Sequence, residues 1–168
     1  AMHTGHSVYA TVHADTAAET IKRLTNPPIN IPPSMLGAVS LNVIMYRDRR
    51  RGLRRVYQVA EFMSSKDTVA ANILYRWVPE KDEIVQHNTS MAFFDELSRH
   101  TGMSQTEIDK DLSNKKEILK WMIKNKIREL NSIGKVFNLY YTDPHLLEEI
   151  MKKNDIKKVL STSNENQI

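Results

Sequence analysis

The chain has 168 residues, 40% of them hydrophobic and 26% charged, and no cysteine. A chain of this length buries roughly 70% of its unfolded surface without a disulfide or metal staple, and the composition is globular rather than disordered. Disulfides, thiolate zinc sites and cysteine nucleophiles are excluded, no apolar run approaches the ~18 residues that span a bilayer, and no basic-then-apolar leader points to secretion.

The net charge is +4 and the isoelectric point about 9.2, which raises nucleic acid or an anionic membrane as partners. The excess is concentrated. Arg47, Arg49, Arg50, Arg51, Arg54 and Arg55, with Asp48 among them, carry +5 in nine residues. The other 18 Lys and Arg and 19 Asp and Glu leave a net of −1. The basicity therefore belongs to one short segment.

In chain order, Ser7 to His13 is a β-branched and aromatic run that reads as a short buried strand. Thr16 and Glu19 have capping-box spacing, so a helix begins there with Ala17, Thr20, Ile21 and Leu24 as its apolar stripe. Four of the six prolines fall in the stretch from Asn26 to Pro33, an extended connector. Pro33 or Ser34 starts a short helix through Val39. Leu41 to Tyr46 and Val56 to Phe62 read as strands joined by a charged hairpin tip around Gly52. A second hairpin follows, from Asn72 to Val78 and from Glu83 to His87, turning at Pro79 to Asp82.

After Ser90 the period changes to 3.6. Met91 to His100 forms a helix that Gly102 ends. Ser104 and Glu107 make a second capping box, and Lys115 to Leu130 places Leu119, Met122, Ile123, Ile127 and Leu130 on one face. Ile133, Val136, Phe137, Tyr140 and Tyr141 repeat the pattern. Trp121, Met122, Phe137, Tyr140 and Tyr141 read as core. Asp143 and Pro144 cap a last helix to about Val159, and residues 161–168 read as a frayed tail. The composition shift at residues 64–90 reads as a connector of β-hairpin. It separates an α/β part, residues 1–63, that looks incomplete as a domain from a helical module over residues 91–160.

Few residues suggest chemistry. His3, His6 and His13 are too far apart on an extended chain to share a metal, since His6 and His13 would lie about 20 Å apart. His13, at the end of the expected strand and just before a helix, occupies a place where open α/β sheets bind ligands, though a lone histidine there is more often a satisfied polar residue. The arginine segment admits three readings: a solvated tip, an inter-subunit or nucleotide-facing set, and a surface for nucleic acid or anionic lipid. It lacks interleaved aromatics for base stacking, which disfavours nucleic acid. Arg54 or Arg55 is expected to pair with a carboxylate such as Glu61. Glu148 and Glu149 read as solvating charges. No serine, histidine and acid set has the spacing of a nucleophilic triad.

The run Thr4-Gly5-His6-Ser7-Val8-Tyr9-Ala10-Thr11-Val12-His13-Ala14-Asp15 resembles the histidine box of the type II/type IV secretion ATPase superfamily. Arg23-Leu24, Pro27-Pro28-Ile29-Asn30-Ile31-Pro32 and the arginine hairpin are most similar to its archaeal branch, which assembles archaella and pili. The resemblance continues through Thr101-Gly102-Met103-Ser104 and Tyr140-Tyr141-Thr142-Asp143-Pro144. Val12 stands where the family usually has leucine. The resemblance implies an α/β fold, the C-terminal part of a RecA-like P-loop core with β-hairpins, followed by the helical module. It implies a homohexameric ring that couples ATP hydrolysis to export or filament assembly, beside a membrane-embedded platform protein at the cytoplasmic face of the cell membrane.

In that family the box histidine senses the γ-phosphate, and His13 matches it. Thr4, Gly5, His6, Thr11, Arg23, Arg47, Arg49, Arg54 and Arg55 become candidates for nucleotide or inter-subunit contacts. The Walker A and Walker B segments come earlier in the family's chain. The glycines here, at 5, 37, 52, 102 and 134, allow no G-x-x-x-x-G-K-[ST]. ATP and Mg²⁺ are thus expected in an intact parent and not on this chain alone, which should not hydrolyse ATP. The alternatives are a non-catalytic protein-interaction module and a nucleic-acid-binding domain.

Overall fold

A computed structural model describes residue 6 and residues 8–161. The chain is mixed α/β and divides into two compact units, one up to Met103 and one from Ser104.

The first unit is built on a four-stranded antiparallel meander: β1 (Asn42–Asp48), β2 (Leu53–Ser64), β3 (Val69–Val78) and β4 (Glu83–Gln86), in the order β1-β2-β3-β4. Both expected hairpins are present. The sheet runs on across residue 64, with Ser64 opposite Val69 and Gln58 opposite Arg76, so the composition shift at 64–90 coincides with β3 and β4. Register shifts between Ile44 and Met45 on one ladder, and between Val59 and Ala60 on the other, leave one extra residue each on β2 and β3.

Helix α1 (Ala17–Thr25) and a short 3-10 turn (Pro33–Ala38) pack on the sheet. Ala17, Leu36, Ile44, Ala60 and Phe62 are buried there, with Ile21, Leu24, Val39, Ala71 and Ile73 around them. Gly37 is placed by close approach: a Cβ there would stand 2.3 Å from Ser64 Oγ. Helix α2 (Phe93–Thr101) ends this unit, stopped by Gly102 at φ 72°.

The strand expected over Ser7 to His13 is not formed across the described part of that run. Residues 8–13 join no ladder and are exposed, Tyr9 to 99%. A β-branched run becomes a strand only against a neighbour's N–H and C=O groups, and the four strands among the described residues all lie beyond residue 41.

The second unit is helical: α3 (Gln105–Lys124), α4 (Leu130–Thr142), α5 (Pro144–Lys153) and α6 (Ile156–Ser161). The Ser104–Glu107 capping box forms in full, and Asp143 caps α5 by accepting from the Leu146 N–H at 3.0 Å. The helix read over 115–130 starts earlier and stops at Lys124, because Asn125 caps it and Lys126 turns to φ 57°. Likewise Asn154, at φ 52°, divides the expected last helix into α5 and α6. The core comprises Ile118, Trp121, Met122, Val136, Leu139, Leu147, Ile150 and Val159. Leu119, Ile123 and Leu130, expected on the buried face, are 46%, 71% and 82% exposed, and Tyr141, read as core, is 69% exposed. Phe137 and Tyr140 do pack against the core. Among the described residues no helix is long and apolar enough to cross a membrane.

Candidate functional site

The histidine segment leads directly into α1. His13 and Thr11 are exposed on the extended stretch before it. Thr16 accepts the Glu19 N–H at 3.1 Å, and the Glu19 carboxylate reaches back to the Asp15 N–H at 2.9 Å, one residue ahead of the cap. The same carboxylate binds Arg23 Nε at 3.1 Å. These contacts, the Asp15 N–H first and Arg23 next, hold the Glu19 carboxyl below the usual range. Arg23 is thus turned onto its own helix. The first N–H of α1, on Ala17, donates to the buried Gln58 side chain at 3.1 Å, which fixes the helix start on β2. Of the other candidates, Thr4 and Gly5 lie outside the described residues, and His6 is exposed.

The arginine segment is the tip of the β1–β2 hairpin. Asp48 organises its turn: Oδ1 accepts from the N–H groups of Arg50 at 2.9 Å and Arg51 at 3.2 Å, and Gly52 supplies φ 64°. Arg47 and Arg54 are directly opposite across the ladder. Arg47, Arg49 and Arg54 are exposed. Arg55 is not part of that exposed set. Its guanidinium grips Asp82 in a two-pronged pair, Nε to Oδ1 at 2.6 Å and Nη2 to Oδ2 at 2.5 Å. Asp82 also accepts from the Trp77 indole at 2.9 Å. Arg55 first and Trp77 second hold the Asp82 carboxyl at about 2, and Asp82 in turn raises Arg55. Asp82, in the β3–β4 turn, is therefore the arginine's partner in place of Glu61.

Glu61 has a different task. It is 1% exposed and accepts five hydrogen bonds. Oε1 takes the Met91 N–H at 2.6 Å and Asn72 Nδ2 at 2.8 Å. Oε2 takes Ser90 Oγ at 2.8 Å and the N–H groups of Ala92 and Phe93 at 3.2 and 2.9 Å. Burial alone would raise its carboxyl, but the Met91 and Phe93 N–H groups, Asn72 and Ser90 outweigh it and bring it down to about 2. The carboxylate caps α2, whose own Ala92 offers no capping side chain. Sequence reasoning missed this role because nothing near Glu61 in the chain signals it; the only local hint is a helix start at Phe93 without a Ser, Thr, Asp or Asn cap.

Two groupings thus emerge among the described residues. One is the exposed run of residues 8–13 with His13 at its end, and the other is the arginine tip. No hydrogen bond or ion pair joins His13 to Arg23 or to the arginine tip among the described residues. Glu61 and Gln58 are scaffold groups that hold the two helix starts on β2.

No family model matches the chain. Three proteins of Methanocaldococcus jannaschii are similar to it. Uncharacterized protein MJ0781 is 32% identical over 142 residues, covering 82% of this chain and 20% of the relative. Uncharacterized protein MJ0900 is 28% identical over 151 residues, covering 84% of this chain and 27% of the relative. Uncharacterized protein MJ1287 is 28% identical over 131 residues, covering 75% of this chain and 48% of the relative. The chain thus spans about a fifth, a quarter and a half of the length of these curated relatives.

Proposed function

We propose that the chain is the C-terminal part of a hexameric ring ATPase of the type II/type IV secretion superfamily, archaeal branch, with His13 as its γ-phosphate contact. The observation that carries this reading is the run from Thr4 to Asp15, which resembles the superfamily's histidine box. Two facts support it. The exposed apolar side chains of Val8, Tyr9 and Val12 have the composition of a buried strand without a partner, as expected where the neighbouring strands of a RecA-like core belong to another part of a longer protein. The chain also matches only part of each relative.

In this reading ATP and Mg²⁺ bind mainly to segments outside the 168 residues, which hold no phosphate-cradling glycine loop. This chain contributes the exposed imidazole of His13, placed one turn ahead of a helix that is anchored to the sheet through Ala17 and Gln58. An imidazole so placed hydrogen-bonds an anionic oxygen, and the helix behind it carries any displacement to β2. Phosphoryl transfer to water depends mostly on positioning and charge stabilisation, so one such contact affects the rate.

The test is ATP turnover by the complete gene product that carries this chain. His13→Ala is expected to lower kcat by roughly 100-fold, the scale of losing one charge-stabilising donor. The 168-residue chain alone is expected to show no turnover above buffer. A complete protein without ATPase activity, or with kcat unchanged by His13→Ala, overturns the reading. A second reading, a non-catalytic interaction module, is favoured by the exposed stripe Leu112, Leu119 and Ile123 on α3. A complete protein that hydrolyses no ATP yet forms a stable complex broken by Leu119→Lys would support it.

A further inference from the structure

We propose that the tip of the β1–β2 hairpin is a docking surface for anionic lipid headgroups, in which guanidinium groups bind phosphodiesters and Val43 and Met45 rest against the acyl boundary. The proposal rests on this unit's own geometry and not on the ATPase reading.

Charge is the first observation. Of six arginines, Arg55 is neutralised by Asp82, and Arg51 stands 3.7 Å from Asp48, the segment's lone carboxylate. Arg47, Arg49, Arg50 and Arg54 form no ion pair among the described residues and are exposed. Arg47 and Arg54 face each other across the ladder, an arrangement that destabilises the hairpin unless an anion lies between or over them. Guanidinium forks match phosphate oxygens in pairs.

The second observation selects the source of the phosphate. Val43, Met45 and Arg47 fall at alternate positions of β1, which remains regular where β2 bulges, so they share one face. Val43 is 50% exposed and Met45 64%. With this open face of β1 lying along a bilayer surface, the apolar side chains and the unpaired arginines meet the acyl boundary and the headgroups side by side. A nucleic-acid strand calls instead for aromatic stacking platforms along a groove. The nearby rings are packed on one another, Tyr46 with Tyr57 at 6.4 Å and with Trp77 at 5.2 Å between centroids, and Arg76 covers Tyr57.

Co-sedimentation of the 168-residue chain with vesicles tests this, comparing phosphatidylglycerol mixed into phosphatidylcholine with phosphatidylcholine alone. Binding is expected only to the anionic vesicles, weakening as salt rises. Replacing Arg47, Arg49, Arg50 and Arg54 together by Ala should lower the partition coefficient at least about 100-fold, given the usual contribution of each basic residue near an anionic surface. A charge-matched control, with Lys110, Lys116, Lys124 and Lys126 replaced by Ala, should retain binding. Met45→Ser should weaken it several-fold at constant charge. If circular dichroism shows the quadruple variant unfolded, Arg49→Glu with Arg50→Glu at the turn carries the same test. Equal binding to neutral vesicles, an equal loss in the lysine control, no binding, or tighter retention on duplex DNA at matched phosphate overturns the proposal.

Discussion

The carboxylate of Glu61 on β2 accepts the backbone N–H of Phe93, 32 residues further along the chain, at 2.9 Å. It also accepts the N–H groups of Ala92, the cap residue, and of Met91 just before it, so one carboxylate gathers the chain at the start of α2. Burial raises its carboxyl and these bonds lower it further, to about 2 from an ordinary 4.5. Between those values the unfolded chain binds the extra proton. The stabilisation is therefore complete above about pH 4.5 and is lost as pH falls towards 2, and it amounts to about 3 kcal/mol. Glu61→Gln should lower the unfolding free energy by about that much at pH 7, and the difference from the native chain should shrink below pH 4. Urea titrations at several pH values check both expectations.

Gln58 serves α1 as Glu61 serves α2. Its Oε1 accepts the Ala17 N–H at 3.1 Å in a buried setting. Gln58→Leu keeps the volume but leaves that donor unsatisfied, at a cost of about 1–3 kcal/mol. The loss should appear as faster amide exchange at Ala17 and its neighbours in α1, with the second unit unaffected. Unchanged exchange at Ala17 would show that another group satisfies it.

Gly37 and Ser64 form a contact that only a double substitution can read. A Cβ on residue 37 would meet Ser64 Oγ at 2.3 Å. Gly37→Ala forces the exposed Ser64 hydroxyl into another rotamer, so the loss should be about 1 kcal/mol or less. Adding Ser64→Ala removes the opposing oxygen and should restore part of the loss, whereas two independent sites would simply add. Thermal melts of the four proteins make the comparison.

Asp82 links the two hairpins, taking Arg55 from β2 and the Trp77 indole from β3. Asp82→Ala should move Trp77 emission to the red and raise its quenching by iodide. A Trp121→Phe background isolates that signal, since the chain has two tryptophans. Because Arg55 and Trp77 hold the Asp82 carboxyl at about 2 against an ordinary 3.8, the native spectrum should stay constant from neutral pH to about 4 and change only as pH falls towards 2.

Helix α3 shows where periodicity stops being informative. It carries two apolar stripes, one through Ile118, Trp121 and Met122, the other through Leu112, Leu119 and Ile123. Both obey helical spacing, and sequence reasoning favoured the mixed face with Leu119 and Ile123. The structure buries the first stripe against Val136, Leu139, Leu147 and Ile150. Which stripe is covered depends on where α4 and α5 lie, and that is a property of their packing rather than of α3.

Both hairpins, the caps at Thr16, Ser104 and Asp143, and the stop at Gly102 can be read directly from the residues. Each depends on hydrogen bonds or torsions within about four residues, so composition and spacing suffice to reveal it. That Glu61 caps α2, Gln58 anchors α1, Asp82 takes Arg55 and residues 8–13 stay open follows instead from packing across the fold. Those outcomes join groups 27 to 41 residues apart, or turn on whether a neighbouring strand is present. Buried polar groups take whichever partner the packing brings within reach, and chain order does not encode that distance.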